Sequence, residues 1–305
     1  MDILLYIRGG LGNQLYQYAV SRYLQETGGF DKLRILTTSY KNYKIRNLEI
    51  ENFILNNHVE IVDKISICDN LVKEIYHIYQ FLFRKVNKRN ASQKCFRILN
   101  RQYLCGMMEY EEILLRKMDT FVYSYLVSAE ICKKMKNSLM NEIVLKGTRT
   151  KQYNEYLTQI KQCPTIAVSI RCADDYVLNN WPVCSKEFYI NGIKKVIEKK
   201  ENCQIFVFAD DLSKVKEENW FKDIDAVIVY IDRLSVCESF ELMRNCNYYV
   251  CSNSSFSWWG AFLTYSEDTL IFSSNRIFGS EQKYDALTKY DEVIYLDYIT
   301  GELST

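Results

Sequence analysis

The feature that most constrains the fold is an alternation, repeated along the whole chain, of short apolar runs rich in Val, Ile, Phe and Tyr with longer amphipathic stretches. Runs of four to eight residues bounded by Gly, Asp, Asn and Ser have the length of buried strands, and helices between them demand parallel pairing through crossovers. In the first half Ile3 to Ile7 and Leu33 to Thr37 read as such strands, joined by a helix over Gly12 to Glu26. The second half repeats the pattern at Thr165 to Ile170, Gln204 to Phe208, Ala226 to Ile231, Tyr248 to Cys251, Leu270 to Phe272 and Val293 to Leu296, with helices predicted over Ser185 to Lys200 and Ser239 to Asn245. The expectation is an α/β chain of two Rossmann-like domains. The first covers 1–160 and carries a helical insert at about 64–146, and the second covers 161–305.

Within the insert, Ser66 to Leu104 and Glu109 to Lys146 read as helices, and Ile75, Ile78, Tyr79, Leu82, Phe83 and Val86 follow helical spacing. That stripe reads first as a core-facing row. Lys64 to Arg101 holds nine Lys or Arg against Asp69 and Glu74, a local net of +7 that leaves −6 for the rest of a chain whose total is +1. A basic amphipathic segment of this kind also suits peripheral contact with acidic phospholipid through 64–101. The near-zero total provides no field for nucleic acid. Eleven cysteines, an odd number without any Cys-x-x-Cys pair, suggest neither a disulfide framework nor a zinc ribbon and fit a reduced, cytoplasmic compartment. Met1 to Arg8 is too short for a signal-peptide core or a span. His58 and His77 are the only histidines, which makes serine–histidine hydrolysis and histidine-rich metal chemistry poor fits.

Four segments can carry chemistry. Gly9-Gly10-Leu11-Gly12-Asn13-Gln14 stands between the first strand and helix, where glycines allow backbone N–H groups to approach a phosphate; Asn13 reads equally as a helix cap. Arg171, at the end of the strand opening the second half, is suited to bidentate contact with a diphosphate, or to a salt bridge with Asp174 or Asp175, which could accept a proton or hold an acceptor hydroxyl. Asp210 and Asp211 end the next strand, where a carboxylate can read a base or a ribose or cap a helix. Ser254, Ser255 and Ser257 stand at a helix N-terminus as phosphate candidates, with Trp258 and Trp259 read as core. Asp223-Ile224-Asp225 spells a metal-type acid pair but precedes its strand, so no metal site is assigned.

In this order the segments resemble the α-1,2-fucosyltransferases of glycosyltransferase family 11. The opening GGLGNQ-x-aromatic-QYA motif stands at Gly9 to Ala19, and the closing N-S-[ST]-[FY]-S-W-W motif at Asn253 to Trp259. The H-x-R-R-G-D-Y and F-[VS]-D-D segments correspond to Ser169 to Tyr176 and Phe206 to Asp211, and Arg46 to Ile50 resembles the family's region after its second strand. The resemblance implies a GT-B-like pair of Rossmann-like domains with a donor cleft between them, an N-terminal acceptor side and a C-terminal donor side. It further implies GDP-fucose as donor substrate without any other cofactor, and inverting, metal-independent transfer to a glycan acceptor, such as O2 of a β-galactoside, lipid-linked or free. By position it assigns Arg171 to the donor's β-phosphate and Gly10, Gly12, Asn13 and Gln14 to the diphosphate side. Asn253, Ser254, Ser255, Phe256 and Ser257 become the phosphate loop, Asp210 or Asp211 lies near the guanine, and Asp174 and Asp175 are the candidate bases. Ser169 stands in the motif's histidine position, Cys172 in that of its second arginine and Ala173 in that of its glycine. These changes prompt a second reading, another nucleotide sugar or linkage on the same fold, and a third, a non-catalytic nucleotide-sugar binding protein.

Overall fold

The computed structural model describes residues 1–41, 46–87, 94–107, 117–173, 181–277 and 282–304. The chain divides into two compact units, Met1–Val144 and Leu145–Thr305.

The first unit is built on a six-stranded sheet in the order β3-β2-β1-β6-β5-β4. It comprises β1 (Asp2–Tyr6), β2 (Lys32–Leu36), β3 (Val59–Val62), β4 (Lys94–Ile98), β5 (Arg101–Met107) and β6 (Thr120–Tyr125). All pairs are parallel except the β4–β5 hairpin. Helix α1 (Leu11–Gly28) packs on β1, β2 and β6 and against α3 (Ala129–Glu142). A buried polar clamp fixes α1 to α3: Arg22 pairs with Glu142 at 3.0 Å, and the same carboxylate accepts hydrogen bonds from the Tyr18 hydroxyl and, at 3.1 Å, from Asn56. Burial, followed by the Glu142 charge, pushes the Tyr18 hydroxyl well above its ordinary range, so it stays a donor. On the other face α2 (Ile67–Asn87) buries Val72 and Tyr76 against Leu4, Leu36, Phe121 and Tyr123.

Here the structure corrects two expectations. The insert is not wholly helical, because β4, β5 and β6 complete the first sheet and leave only α2 and α3 as helices among its described residues. The runs Tyr103-Leu104-Cys105 and Phe121-Val122-Tyr123 are too short and too uniformly apolar for periodicity to separate strand from helix, and their aromatic and β-branched content suits a strand buried on both faces. The second correction is to the stripe on α2. Ile75, Ile78, Leu82 and Val86 are exposed at 58%, 58%, 54% and 79%, whereas the sheet-facing side of the helix is held by Asp69, Val72 and Tyr76.

The second unit holds six parallel strands in the order β12-β11-β10-β7-β8-β9. They are β7 (Thr165–Ile170), β8 (Gln204–Ala209), β9 (Ile228–Tyr230), β10 (Tyr248–Cys251), β11 (Leu270–Ser274) and β12 (Val293–Leu296), matching all six predicted runs. Its α-helices among the described residues are α4 (Lys151–Ile160), α5 (Lys186–Ile197), α6 (Leu212–Glu217), α7 (Val236–Arg244) and α8 (Ser255–Phe262). Local chemistry explains their starts: Ser185 accepts from the Phe188 N–H at the head of α5, and Ser235 and Glu238 form a reciprocal capping box at the head of α7. Gly192 lets α5 lie close on β10, since a Cβ there would stand 2.7 Å from Val250 Cγ1. The division between the units falls at Val144–Leu145 rather than at residue 160, because Tyr153, Tyr156 and Ile160 of α4 pack with Phe206, Leu242 and Tyr249 of the second unit.

Both units are thus Rossmann-like, and the fold is GT-B-like, as expected. Among the described residues no helix is long and apolar enough to cross a membrane.

Candidate active site

In an open parallel sheet the strand order reverses where consecutive connections leave in opposite directions, and the crevice at the carboxyl ends of those strands accepts ligands. In the second unit that point is β7, which pairs with β8 on one side and β10 on the other. Arg171 and Cys172 end β7, Asp210 ends β8, and Ser252 to Ser255 follow β10 into α8. The strand order therefore brings three sequence-predicted segments to one edge, joined where the Ser252 N–H donates to the Ser169 carbonyl at 3.0 Å. The acid pair Asp223 and Asp225 precedes β9 and so belongs to the opposite edge of this sheet.

Arg171 is the focus of this edge. Its Nη1 pairs with Asp210 Oδ2 at 2.8 Å, and the two side chains are only 12% and 18% exposed. The other Asp210 oxygen accepts the Cys172 N–H at 2.8 Å, and the Ala173 N–H points at the same carboxylate at 3.3 Å. Asp210 therefore holds Arg171 and the turn after β7. Asp211 accepts from the Lys214 N–H at 3.1 Å and caps α6, so the second acid is also structural. Arg171 pairs with Asp210, while Asp174 and Asp175, the salt-bridge partners anticipated for it, lie outside the described residues.

Three further groups complete the edge. Lys214, not singled out by the sequence reading, brings its Nζ to 3.4 Å from the carbonyl of Cys172, the residue after Arg171, and adds a second cation to this edge. Its sequence signal was weak, a lysine in the turn after a capping aspartate. The Arg171 N–H donates to the Tyr189 hydroxyl at 3.3 Å, a fully buried group held protonated chiefly by desolvation. Burial, then the Asp210 charge, pushes the Cys172 thiol up to about 12, so it is an inert neighbour and not a nucleophile.

At the start of α8 the serines separate into two roles. Ser254 is the cap, its hydroxyl accepting from the Phe256 N–H at 3.3 Å, and Ser254 and Ser255 stay partly exposed at a helix terminus whose N–H groups and dipole favour an anion. Ser257, expected to meet phosphate, is instead fully buried in a chain of hydroxyls, 2.7 Å from Ser169 and 3.0 Å from Ser252. Ser169, in the motif's histidine position, thus ties β7 to α8. Asn253 is 3% exposed and donates to the Pro182 carbonyl, while its Oδ1 has no hydrogen-bond partner among the described residues. Phe256 packs edge-on against Phe240. Trp258 and Trp259 are core, as expected, with Trp258 donating to the Thr288 carbonyl at 2.6 Å.

In the first unit the glycine-rich turn has its own logic. Gly9 adopts φ +85°, where a side chain is strained, and a Cβ would lie 2.9 Å from Asn13 Nδ2. Gly10 caps α1 in extended conformation beneath the Arg46 side chain, and Gly12 is buried in the first helical turn. Gln14, expected near the donor, is fully buried and its amide is saturated internally. It donates to the Gly9 and Asn47 carbonyls at 2.9 and 2.8 Å and accepts from the Glu49 and Ile50 N–H groups at 2.9 Å each. It clamps the Arg46 to Ile50 segment onto the turn, which explains why that stretch accompanies the glycine motif. Asn13 remains partly exposed at the helix N-terminus.

Comparison with known proteins agrees with this arrangement. Residues 2–295 match Glycosyl transferase family 11. An Escherichia coli α-1,2-colitosyltransferase is 28% identical over 274 residues, covering 84% of this chain and 86% of that protein. The Escherichia coli O-antigen biosynthesis glycosyltransferase WbnK is 26% identical over 304 residues, covering 91% and 95%. Among solved structures, NodZ α-1,6-fucosyltransferase soaked with GDP-fucose superposes with a TM-score of 0.51 at 13% identity, covering 86% of this chain and 92% of that one, a likeness of fold. With a match that spans nearly its whole length and both signature motifs at the ends of the expected strands, the chain is a glycosyltransferase and belongs to glycosyl transferase family 11.

Proposed function

We propose that the protein transfers fucose from GDP-fucose, with inversion and without a metal, to a hydroxyl of a glycan acceptor, O2 of a β-galactoside. The observation that carries this reading is Arg171, held by Asp210 at the switch point of the second sheet beside the N-terminus of α8. In such a transfer the acceptor hydroxyl attacks the anomeric carbon, the C–O bond to the nucleoside diphosphate breaks, and negative charge grows on the β-phosphate. Arg171 and the first-turn N–H groups of α8 would meet that charge in a partly desolvated setting, where losing one such donor typically costs on the order of 10²- to 10³-fold in rate. Lys214 adds to the same field. Asp174 and Asp175 are the proposed bases that accept the hydroxyl proton. Asn13, with the backbone at Gly10 and Gly12, is proposed to face the diphosphate.

The proposed setting is polysaccharide biosynthesis in the cytoplasm, on a lipid-linked acceptor at the inner membrane face, in keeping with the name of the WbnK relative. A second reading keeps the site and changes the sugar: the similarity to an α-1,2-colitosyltransferase favours a colitosyl donor. One experiment tests both. Nucleotide release and glycosylated product are followed with GDP-fucose and with the colitosyl donor over a β-galactoside panel, with and without a chelator. Chelator-insensitive product with a new α-1,2 linkage from GDP-fucose is the expected outcome. Product from the colitosyl donor alone would replace the first reading with the second, and turnover of neither would sink both.

A further inference from the structure

Helix α2 is apolar over about half its circumference, but the sheet covers only part of that half. Asp69, Val72 and Tyr76 face inward, and the Asp69 carboxylate anchors the helix by pairing with Arg101 at 2.7 Å. Directly outward stand Ile67, Leu71, Ile75, Ile78 and Leu82, from 54% to 90% exposed. One flank of the same helix borders a cavity of about 210 Å³ that lies within the first unit. Arg8, His77 and Arg84 line it with the rings of Tyr76, Tyr123 and Tyr125, and among the described residues no carboxylate does. The Arg8 guanidinium lies over the Tyr123 and Tyr125 rings at 4.7 and 4.1 Å, its Nε is buried without a hydrogen bond, and neither Arg8 nor Arg84 has an ion-pair partner among the described residues. Arg8 is half-buried with its Nε out of reach of water and has no anion among the described residues, which suits the cavity to receive one.

We propose that α2 seats the first unit on an anionic membrane, its outward row among the acyl chains and the Arg8–Arg84 cavity on its flank receiving the phosphate of a lipid-borne group. Charge decides between this occupant and a protein partner: the segment Lys64 to Arg101 carries a net +7 in a chain otherwise at −6, with Arg84 and Lys85 on the last turn of α2, and an outward apolar row ending in basic residues suits an interfacial helix. The inference deepens the membrane placement proposed above and is independent of which sugar is transferred.

The test is sedimentation of the full chain with vesicles of phosphatidylcholine alone or with about one-third phosphatidylglycerol, using binding and not transfer as the readout. The wild type is expected to sediment with the anionic vesicles only. Ile75→Ser with Ile78→Ser, both solvent-facing and so neutral for folding, should weaken binding at least tenfold, and Arg84→Gln about fivefold. Inorganic diphosphate should weaken vesicle binding of the wild type but not of an Arg8→Gln, Arg84→Gln variant, which separates the cavity from the bulk surface charge. Failure of the wild type to sediment, or equal sedimentation of the serine variant, overturns the membrane assignment. Self-association abolished by the serine variant without vesicle binding would give the face to a second copy and overturn it too. Absence of any diphosphate effect overturns the cavity. Transfer to a soluble acceptor, measured beside these, reports on the proposed chemistry alone.

Discussion

Replacing Asp210 by Asn separates the two roles open to this carboxylate, because it preserves shape and removes charge. The structure gives Asp210 three engagements, a 2.8 Å ion pair with Arg171 and acceptance of the Cys172 N–H at 2.8 Å and of the Ala173 N–H at 3.3 Å. Asn retains one oxygen, enough for the Cys172 N–H, but turns the Arg171 pairing into a guanidinium facing a neutral amide. Breaking a fully buried pair from one side costs about 3–5 kcal/mol; with the two side chains 12% and 18% exposed, about 2–3 kcal/mol of stability is expected to be lost. Activity should fall further than stability implies, since a displacement of the guanidinium by about 1 Å can cost on the order of 10²-fold. Arg171→Ala should cost on the order of 10²- to 10³-fold with the fold intact. The decisive measurement is the double-mutant cycle in kcat/KM, with urea denaturation of each variant alongside. If Asp210 acts through Arg171, Asp210→Asn changes little in the Arg171→Ala background, a coupling of about 2.7 kcal/mol at roughly 1.4 kcal/mol per decade. Losses that simply add would show that Asp210 acts on the donor by itself, as a base reader, and would refute the positioning role.

Other variants probe the frame. Gln14→Leu strands the Glu49 and Ile50 N–H groups and two carbonyls in a buried turn and should cost about 3 kcal/mol or more, read as a fall of roughly 6–12 °C in the melting temperature of the unit; an unchanged melting curve would contradict the clamp. Gly192→Ala would gain about 1 kcal/mol of helix propensity in open space, but against Val250 it should be net destabilising by about 1–2 kcal/mol and partly rescued by Val250→Ala; a more stable Gly192→Ala would deny the close approach of α5 to β10. Burial alone would raise the Glu238 carboxyl, yet the Thr150 and Ser235 N–H groups it accepts hold it below the ordinary range. Its contribution is therefore present above the unfolded value of about 4.3 and lost as pH falls through the lower folded value, so Glu238→Gln should flatten the acid limb of the urea midpoint below roughly pH 5. An unaltered acid limb would remove Glu238 from the pH response.

The second unit was legible from the chain alone because its signals are local. Four of its six strands, β7, β8, β10 and β11, are mostly buried on both faces and so read as continuous apolar segments, and Ser185, Asp211, Ser235 and Ser254 cap the helices beside them through neighbours two or three residues away. The same locality exposed Arg171 and the serine-rich start of α8 as strand-end groups. Tertiary structure decided what depended on partners distant in sequence. Asp210 meets a turn 38 residues earlier, and Ser257 meets a hydroxyl 88 residues away, contacts that exist only because β7 pairs with both β8 and β10. Likewise β5 and β6 became strands when β1 supplied an edge to pair with, and the row from Ile67 to Val86 turned outward because α2 buries only Asp69, Val72 and Tyr76 in the first unit. Periodicity states that a helix has an apolar side; the number of neighbours available to cover that side is fixed by the packing of the whole unit.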